Sequence, residues 1–238
     1  AAMGRMSAGI AHEIRNPLAA ISQANALLLE DGLAPDQQRL AQMVADNVER
    51  LRRIVDDVME VAPGPLAPPQ RVDASAEIAA ATAEWLHTAG LALGVDSPLR
   101  LELPATPLYV EFDPEHLRRV LVNLLDNARR HASGTPGAMF LRLAARDAGR
   151  VVLSVFSDSA PIEPEVERHL FEPFFSTRSR GTGLGLYICR ELCARYRASI
   201  DYRPRPGAER LRNEFVVTLQ RSAAADAMPL PPTSPATL

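Results

Sequence analysis

The chain has 238 residues, a hydrophobic content of 47% and a formal net charge of −3. That length holds one large domain or two small ones. The weak acidity gives no electrostatic reason to expect nucleic acid or an anionic membrane as a partner, and no run approaches the roughly 20 apolar residues that a spanning helix needs.

The first residues, AAMGRM, show no initiator methionine and no signal peptide, and they read as the interior of a helix. The expectation is a piece cut from a longer protein. Apolar residues at Met3, Met6, Ile10, Ile14, Leu18, Ile21 and Leu28 define one face of a helix over residues 3–31. Gly32 and Pro35 break the pattern. It resumes over residues 36–61 at Leu40, Val44, Val48, Leu51, Val55 and Val58. Two helices with one apolar stripe each lack a surface to bury both. A second copy would supply it in a four-helix bundle, so a homodimer through residues 1–61 is expected.

Residues 62–70, APGPLAPPQ, hold four prolines and read as a semi-rigid linker. Beyond it the pattern becomes mixed. Helices are expected at about 74–93, 114–131 and 185–196. Strands are expected at LRLEL, LYVEF, AMFLRLAAR, RVVLSVFS, ASIDYRP and NEFVVTLQ. Residues 71–221 thus read as an α+β two-layer sandwich, one sheet with helices on one face. The Pro/Ala/Ser-rich tail, 222–238, has no core-forming pattern and is expected to be disordered. Cys189 and Cys193 share a helix face, which suits buried thiols better than a redox switch.

The first helix contains GIAHEIRNPLAAI. At about 100° per residue, His12 points away from the Ile10–Ile14 stripe and shares a face with Asn16, with Glu13 beside them. Zinc-protease spacing needs a second histidine at i+4; Asn16 is there instead. Pro17 costs a helix one hydrogen bond and tends to bend it. An imidazole with one free nitrogen is a nucleophile, and a carboxylate such as Glu13 can hold the other N–H and stabilise the cation formed on attack. An incidental surface histidine is the plainer alternative.

Three further segments carry polar chemistry. VLVNLLDNARRHA sets Asn123 and Asn127 on one helix face with Arg130 a turn on. Such amides can meet hydrated Mg²⁺ and phosphate oxygens, or can simply face solvent. VFSDSAPI ends a strand at Asp158, a carboxylate able to accept from an exocyclic amine such as that of adenine. GTGLGL, comprising Gly181, Thr182, Gly183, Leu184, Gly185 and Leu186, opens a helix after FEPFFSTRSR. Glycines there allow close backbone approach, and a helix N-terminus favours phosphate. No strand precedes the loop as a dinucleotide fold requires, and no P-loop lysine is present.

HEIRNP, NLLDNARRHA, FEPFF and GTGLGL, in this order and spacing, resemble the sensor histidine kinases of two-component signalling, over nearly all of residues 3–220. The wording of GIAHEIRNPLAAI is most similar to the nitrogen- and pilus-regulating sensor kinases. The resemblance implies a phosphotransfer hairpin followed by a Bergerat-type ATP-binding domain, using ATP and Mg²⁺. His12 would be the phosphoacceptor, Glu13 its base, and Asn16 the residue aligning water when such proteins dephosphorylate their partner. Asn123 and Asn127 match the N box, with Asn127 as Mg²⁺ ligand; Asp158 matches the adenine-reading aspartate. Phe171, Phe174 and Phe175 match the F box, and Gly181, Gly183 and Gly185 the glycine loop. The implied partner is a response-regulator receiver domain. The implied place is the cytoplasm, with a membrane anchor in the parent chain left open.

The sequence departs from that pattern in three places. Arg130 and Arg178 stand where lysine is usual. After Asp158 the family reads Asp-x-Gly-x-Gly, whereas this chain reads Asp158-Ser159-Ala160-Pro161-Ile162. If a family glycine has positive φ, Ser or Ala there costs roughly 1–2 kcal/mol; a rebuilt loop would cost less. Hence two expectations: an active autokinase, or a degenerate kinase serving as phosphatase or scaffold. A chaperone-type or mismatch-repair-type Bergerat ATPase fits worse, because such proteins lack a phosphoacceptor hairpin.

Overall fold

A computed structural model describes residues 2–30, 32–61, 68–176 and 182–222, with side chains described from Glu13 in the first helix and up to Met59 in the second. The expectations for the linker at 62–67 and for the tail at 223–238 lie outside these residues.

Helices α1 (Ala2–Glu30) and α2 (Pro35–Val61) form the hairpin. Gly32 turns the chain with φ 69°. Leu18, Ala41 and Val48 are buried between the helices, and the buried amide of Asn25 donates to the Ala41 carbonyl at 2.9 Å. Helix α1 continues through Pro17. Much of the predicted stripe is open: Ile14, Ile21, Leu28, Leu40, Val44, Leu51 and Val58 are each more than 40% exposed.

The second unit contains β1 (Gln70–Asp73), α3 (Ala74–Thr88), β2 (Leu99–Glu102), β3 (Tyr109–Phe112), α4 (Pro114–His131), β4 (Met139–Ala145) and β5 (Arg150–Ser157). It continues with α5 (Pro164–Glu167), α6 (Gly185–Arg195), β6 (Ser199–Pro204) and β7 (Asn213–Gln220). The strands form a five-stranded sheet in the order β2-β4-β5-β7-β6 and a separate antiparallel ribbon of β1 and β3. The single-sheet expectation is corrected accordingly. The strand β1 also replaces the last residue of the predicted linker. It escaped notice because its four residues, QRVD, carry one buried side chain, Val72. The short α5 was likewise not anticipated. Helix α3 ends at Thr88 rather than near Leu93. Gly90, at φ 67°, donates to the His87 carbonyl, and Leu91 N–H reaches back to the Leu86 carbonyl at 2.8 Å, closing the helix.

Leu141, Leu143, Leu153, Val155, Val217 and Leu219 project from the sheet into a core shared with Leu117, Leu121 and Leu124 of α4 and Ile188 and Leu192 of α6. Cys189 and Cys193 are buried in it, and burial pushes the Cys193 thiol up to about 12. A thiol so disfavoured as thiolate is an inert packing group.

Candidate active site

Helix α4 is fixed at both ends. Asp113 caps its start by accepting from His116 N–H at 3.0 Å, with Pro114 in the first turn. Its apolar face, from Leu117 to Ala128, is at most 4% exposed, which leaves Asn123 and Asn127 partly buried on the flank. Asn123 Nδ2 is buried without a hydrogen-bond partner. A buried donor of this kind carries a desolvation cost that an acceptor such as a phosphate oxygen would relieve. Arg130 turns back along the helix, with Nε donating to the Asp126 carbonyl at 3.1 Å.

The start of α6 meets α4 closely. A Cβ on Gly185 would lie 3.1 Å from Asn123 Oδ1. Gly183 has φ +71°, and a Cβ there would lie 2.5 Å from the Phe174 carbonyl carbon and 2.8 Å from both its oxygen and Phe175 N. This glycine therefore serves a backbone-on-backbone contact as well as a left-handed turn. Phe174 itself has φ 63° and is 64% exposed. Phe171, by contrast, packs edge-on against Phe215 with ring centroids 6.5 Å apart. Thr182 Oγ1 accepts from Leu184 N–H at 3.3 Å, and Leu184 is buried. Arg178 and Gly181 lie outside the described residues.

Asp158 follows β5, with its N–H donating to the Ala138 carbonyl at 3.0 Å. Its carboxylate accepts from Ser133 N–H at 2.9 Å and from Ser133 Oγ at 2.6 Å. Arg210 Nε stands 4.0 Å away, and the Asp158 side chain is 10% exposed. Ser159 and Ala160 are not among the residues with positive φ. The strain penalty that the missing glycines threatened therefore does not arise at these two residues.

Glu13 and Asn16 are exposed on α1; the side chain of His12 lies outside the described residues. Between Glu13 and Asn16, Arg15 donates to Asp56 Oδ1 of α2 from Nε at 3.0 Å and from Nη2 at 2.7 Å. The next residue, Asp57, faces the second unit. Its carboxylate accepts from Arg119 Nη2 of α4 at 2.7 Å and from Thr182 Oγ1 at 3.4 Å. Burial, the largest influence, raises the Asp57 carboxyl above its ordinary range, although Arg119 and Thr182 pull it down.

Asn123 and Gly185 are therefore in direct apposition, with Gly183 against Phe174, while Asp158 belongs to a separate cluster around Ser133. A groove of about 530 Å³ between α3 and α4, lined by Trp85, Val122 and Asp126 among others, contains none of the sequence-predicted residues. Sequence reasoning missed Ser133, Arg210, Asn213, Asp57 and Arg119. Only Asn213 left a signal, as an amide opening a strand that otherwise alternates apolar residues. Among the described residues no cluster of three or more His, Cys, Asp or Glu could hold a metal. A single amide oxygen at Asn127, completed by phosphate and water, fits the coordination habits of Mg²⁺.

Comparison with known proteins finds matches to both parts of the chain. Residues 2–63 match the His Kinase A (phospho-acceptor) domain, and residues 112–223 the histidine kinase-, DNA gyrase B- and HSP90-like ATPase family. The chain is 40% identical over 214 residues to sensor protein kinase PilS of Pseudomonas aeruginosa, covering 86% of this chain and 39% of that protein. It is 31% identical over 211 residues to sensor histidine kinase ZraS of Klebsiella oxytoca, covering 87% and 44%. The chain thus spans about two-fifths of the length of these relatives. Among solved structures, full-length ShkA in complex with AMPPNP aligns with TM-score 0.65 at 23% identity over 93% of this chain and 47% of that one. The mycobacterial sensor histidine kinase MprB aligns with TM-score 0.54 at 24% identity over 64% and 97%. These two share the fold. No helix among the described residues is long and apolar enough to cross a membrane. With a hairpin that matches the phospho-acceptor domain, a sandwich that matches the ATPase family and relatives of this kind, the chain belongs to the sensor histidine kinases of two-component signalling.

Proposed function

We propose that this chain is an active autokinase core that transfers the γ-phosphoryl group of ATP to His12 and then to an aspartate of a response-regulator receiver domain. In the first step a nitrogen of the His12 ring forms a bond to Pγ while the bond from Pγ to the bridging oxygen of ADP breaks. The ring N–H is held by Glu13, which stabilises the imidazolium that develops and receives its proton. In the second step Glu13 returns the proton to the ring, the receiver carboxylate attacks the same phosphorus, and neutral imidazole leaves. Asp158 accepts from the adenine amine, Asn123 donates toward phosphate, and the start of α6 at Gly183, Leu184 and Gly185 meets phosphate with backbone N–H groups. Thr182 and Phe174 shape that loop, and Arg130, Arg178 and Gly181 are assigned to nucleotide binding from their motif positions. Asn127 would hold Mg²⁺, which neutralises phosphate charge when bound.

Residues 1–61 are assigned to dimerisation and phosphotransfer, and residues 71–221 to ATP binding. The open apolar stripe on the hairpin supports a homodimer. Asn16 is assigned to orienting water for dephosphorylation of the partner. The similarity to PilS supports placement near the pilus-regulating sensor kinases. The observation that carries the active reading over a degenerate one is the loop after Asp158, which avoids positive φ without glycine. The test is incubation with γ-labelled ATP and Mg²⁺. Acid-labile, base-stable label on the chain supports the reading, and a chain that binds ATP but takes no label contradicts it.

A further inference from the structure

The loop after Asp158 carries no glycine at residues 159–162, and a buried amide holds it. Asn213 opens β7, opposite Ser157 of β5 and Pro204 of β6, and is 1% exposed. Its Nδ2 donates to the Ser159 carbonyl at 2.8 Å and the Ala160 carbonyl at 3.1 Å, with Ser159 Oγ at 2.9 Å. Its Oδ1 accepts from the Tyr202 hydroxyl at 2.5 Å. That hydroxyl oxygen in turn accepts from Ile162 N–H at 3.2 Å. Since the two carbonyls can only accept, the amide nitrogen must face them, and its orientation follows from the partners. Three of the four residues following Asp158 are thereby tied to two adjacent strands through one amide and one hydroxyl. Asparagine is disfavoured in strands, and a buried amide is costly unless its hydrogen bonds are made. Here every bond of the amide nitrogen goes to the one loop whose expected glycines are missing, and the amide oxygen is held by Tyr202, whose hydroxyl meets the same loop at Ile162.

We propose that Asn213 and Tyr202 are positioning residues for base recognition: they hold the loop so that the Asp158 carboxylate stays aimed at the exocyclic amine of adenine. Ser133 restrains the carboxylate itself, and Asn213 restrains the backbone that follows it. Neither Asn213 nor Tyr202 is assigned a contact with the base. The inference rests on the reading of Asp158 as the base-reading residue.

The experiment compares ADP with IDP, whose base carries a carbonyl where adenine carries the amine. Both are titrated calorimetrically into wild type, Asp158→Asn, Asn213→Ala, Asn213→Thr and Tyr202→Phe, with thermal unfolding as a check on folding. General loosening of the fold weakens both nucleotides alike, whereas misaiming Asp158 lowers the ratio of ADP to IDP affinity. The ratio should fall about tenfold in Asn213→Ala and about threefold in Tyr202→Phe, in line with hydrogen bonds of roughly 0.5–1.5 kcal/mol. Asn213→Thr, with one donor restored on a strand-compatible side chain, should recover part of it. Tyr202→Phe keeps the ring against Phe215, so it carries the test if Asn213→Ala fails to fold. An unchanged ratio in Tyr202→Phe and in any folded Asn213 variant, with a collapsed ratio in Asp158→Asn, overturns the proposal. An unchanged ratio in Asp158→Asn instead overturns the base-reading role, and the proposal with it.

Discussion

Gly183 and Gly185 lie two residues apart in one glycine loop, yet the geometry assigns them opposite sensitivities. Alanine at 183 must adopt φ near +71° and place a Cβ 2.5 Å from the carbonyl carbon of Phe174. The left-handed conformation costs roughly 1–2 kcal/mol, and forcing a methyl group against backbone adds about 1–3 kcal/mol. The total of about 2–5 kcal/mol can fall on stability, if the loop keeps its shape, or on nucleotide affinity, if the loop relaxes and must be re-formed by the ligand. Entirely on affinity, it is roughly a 30-fold to several-thousand-fold loss. Entirely on stability, even its lower end lowers the melting temperature by about 4–8 °C. Alanine at 185 meets only the end of the Asn123 side chain, at 3.1 Å, which can shift by a few tenths of an ångström. A helix gains up to about 1 kcal/mol from that exchange, so stability should hold or rise and ADP affinity should change by no more than about threefold. Calorimetric ADP titration and thermal unfolding of both variants check this. Gly183→Ala with ADP affinity within about twofold of wild type and an unshifted melting temperature would refute the assigned contact.

Asn16→Ala should keep much of the autophosphorylation and lose phosphatase activity toward a phosphorylated receiver domain, since an amide can orient water but cannot serve as a base; equal loss of both would make Asn16 a residue that merely shapes α1. Leu51→Glu places a charge on the open stripe, where Leu51 is 49% exposed, and should yield monomers by sedimentation, while persistent dimers would put the interface elsewhere. The contact of Asp57 with Arg119 and Thr182 should respond to pH. Its carboxyl is raised when buried there, so the docked state binds the proton more tightly than the undocked one. Docking is therefore most favoured below the undocked value and loses that advantage as pH rises through the docked value. Acidification from neutral pH should raise hydrogen-exchange protection, taken relative to the intrinsic rate at each pH, where α2 meets α4, and Asp57→Asn should abolish that rise; protection that falls on acidification would contradict the sign.

The elements with strong periodicity were legible from the residues. Helix α4 and strands β5 and β7 occupy the predicted ranges, because their apolar faces fix both type and register. The ribbon strand β1 was not legible, because a four-residue strand with one buried side chain carries too little pattern. For the site, residue types close in sequence could be read: Asn123 with Asn127, and Gly183 with Gly185. What joins distant segments could not. The hydrogen bonds from Ser133 to Asp158, from Asn213 to Ser159, and from Arg119 to Asp57 span 25, 54 and 62 positions. No local spacing announces such pairs. The loop after Asp158 shows the consequence, for the absent glycines read as a defect until the strand pairing brought Asn213 and Tyr202 beneath it.

The claim that His12 is the phosphoacceptor is tested most directly by giving γ-labelled ATP and Mg²⁺ to the wild-type chain and to His12→Gln in parallel, with ADP binding measured on both. The account predicts acid-labile, base-stable label on the wild type and none on His12→Gln, with ADP affinity unchanged. Acid-labile label persisting on His12→Gln, at His87, His116, His131 or His169, would contradict it.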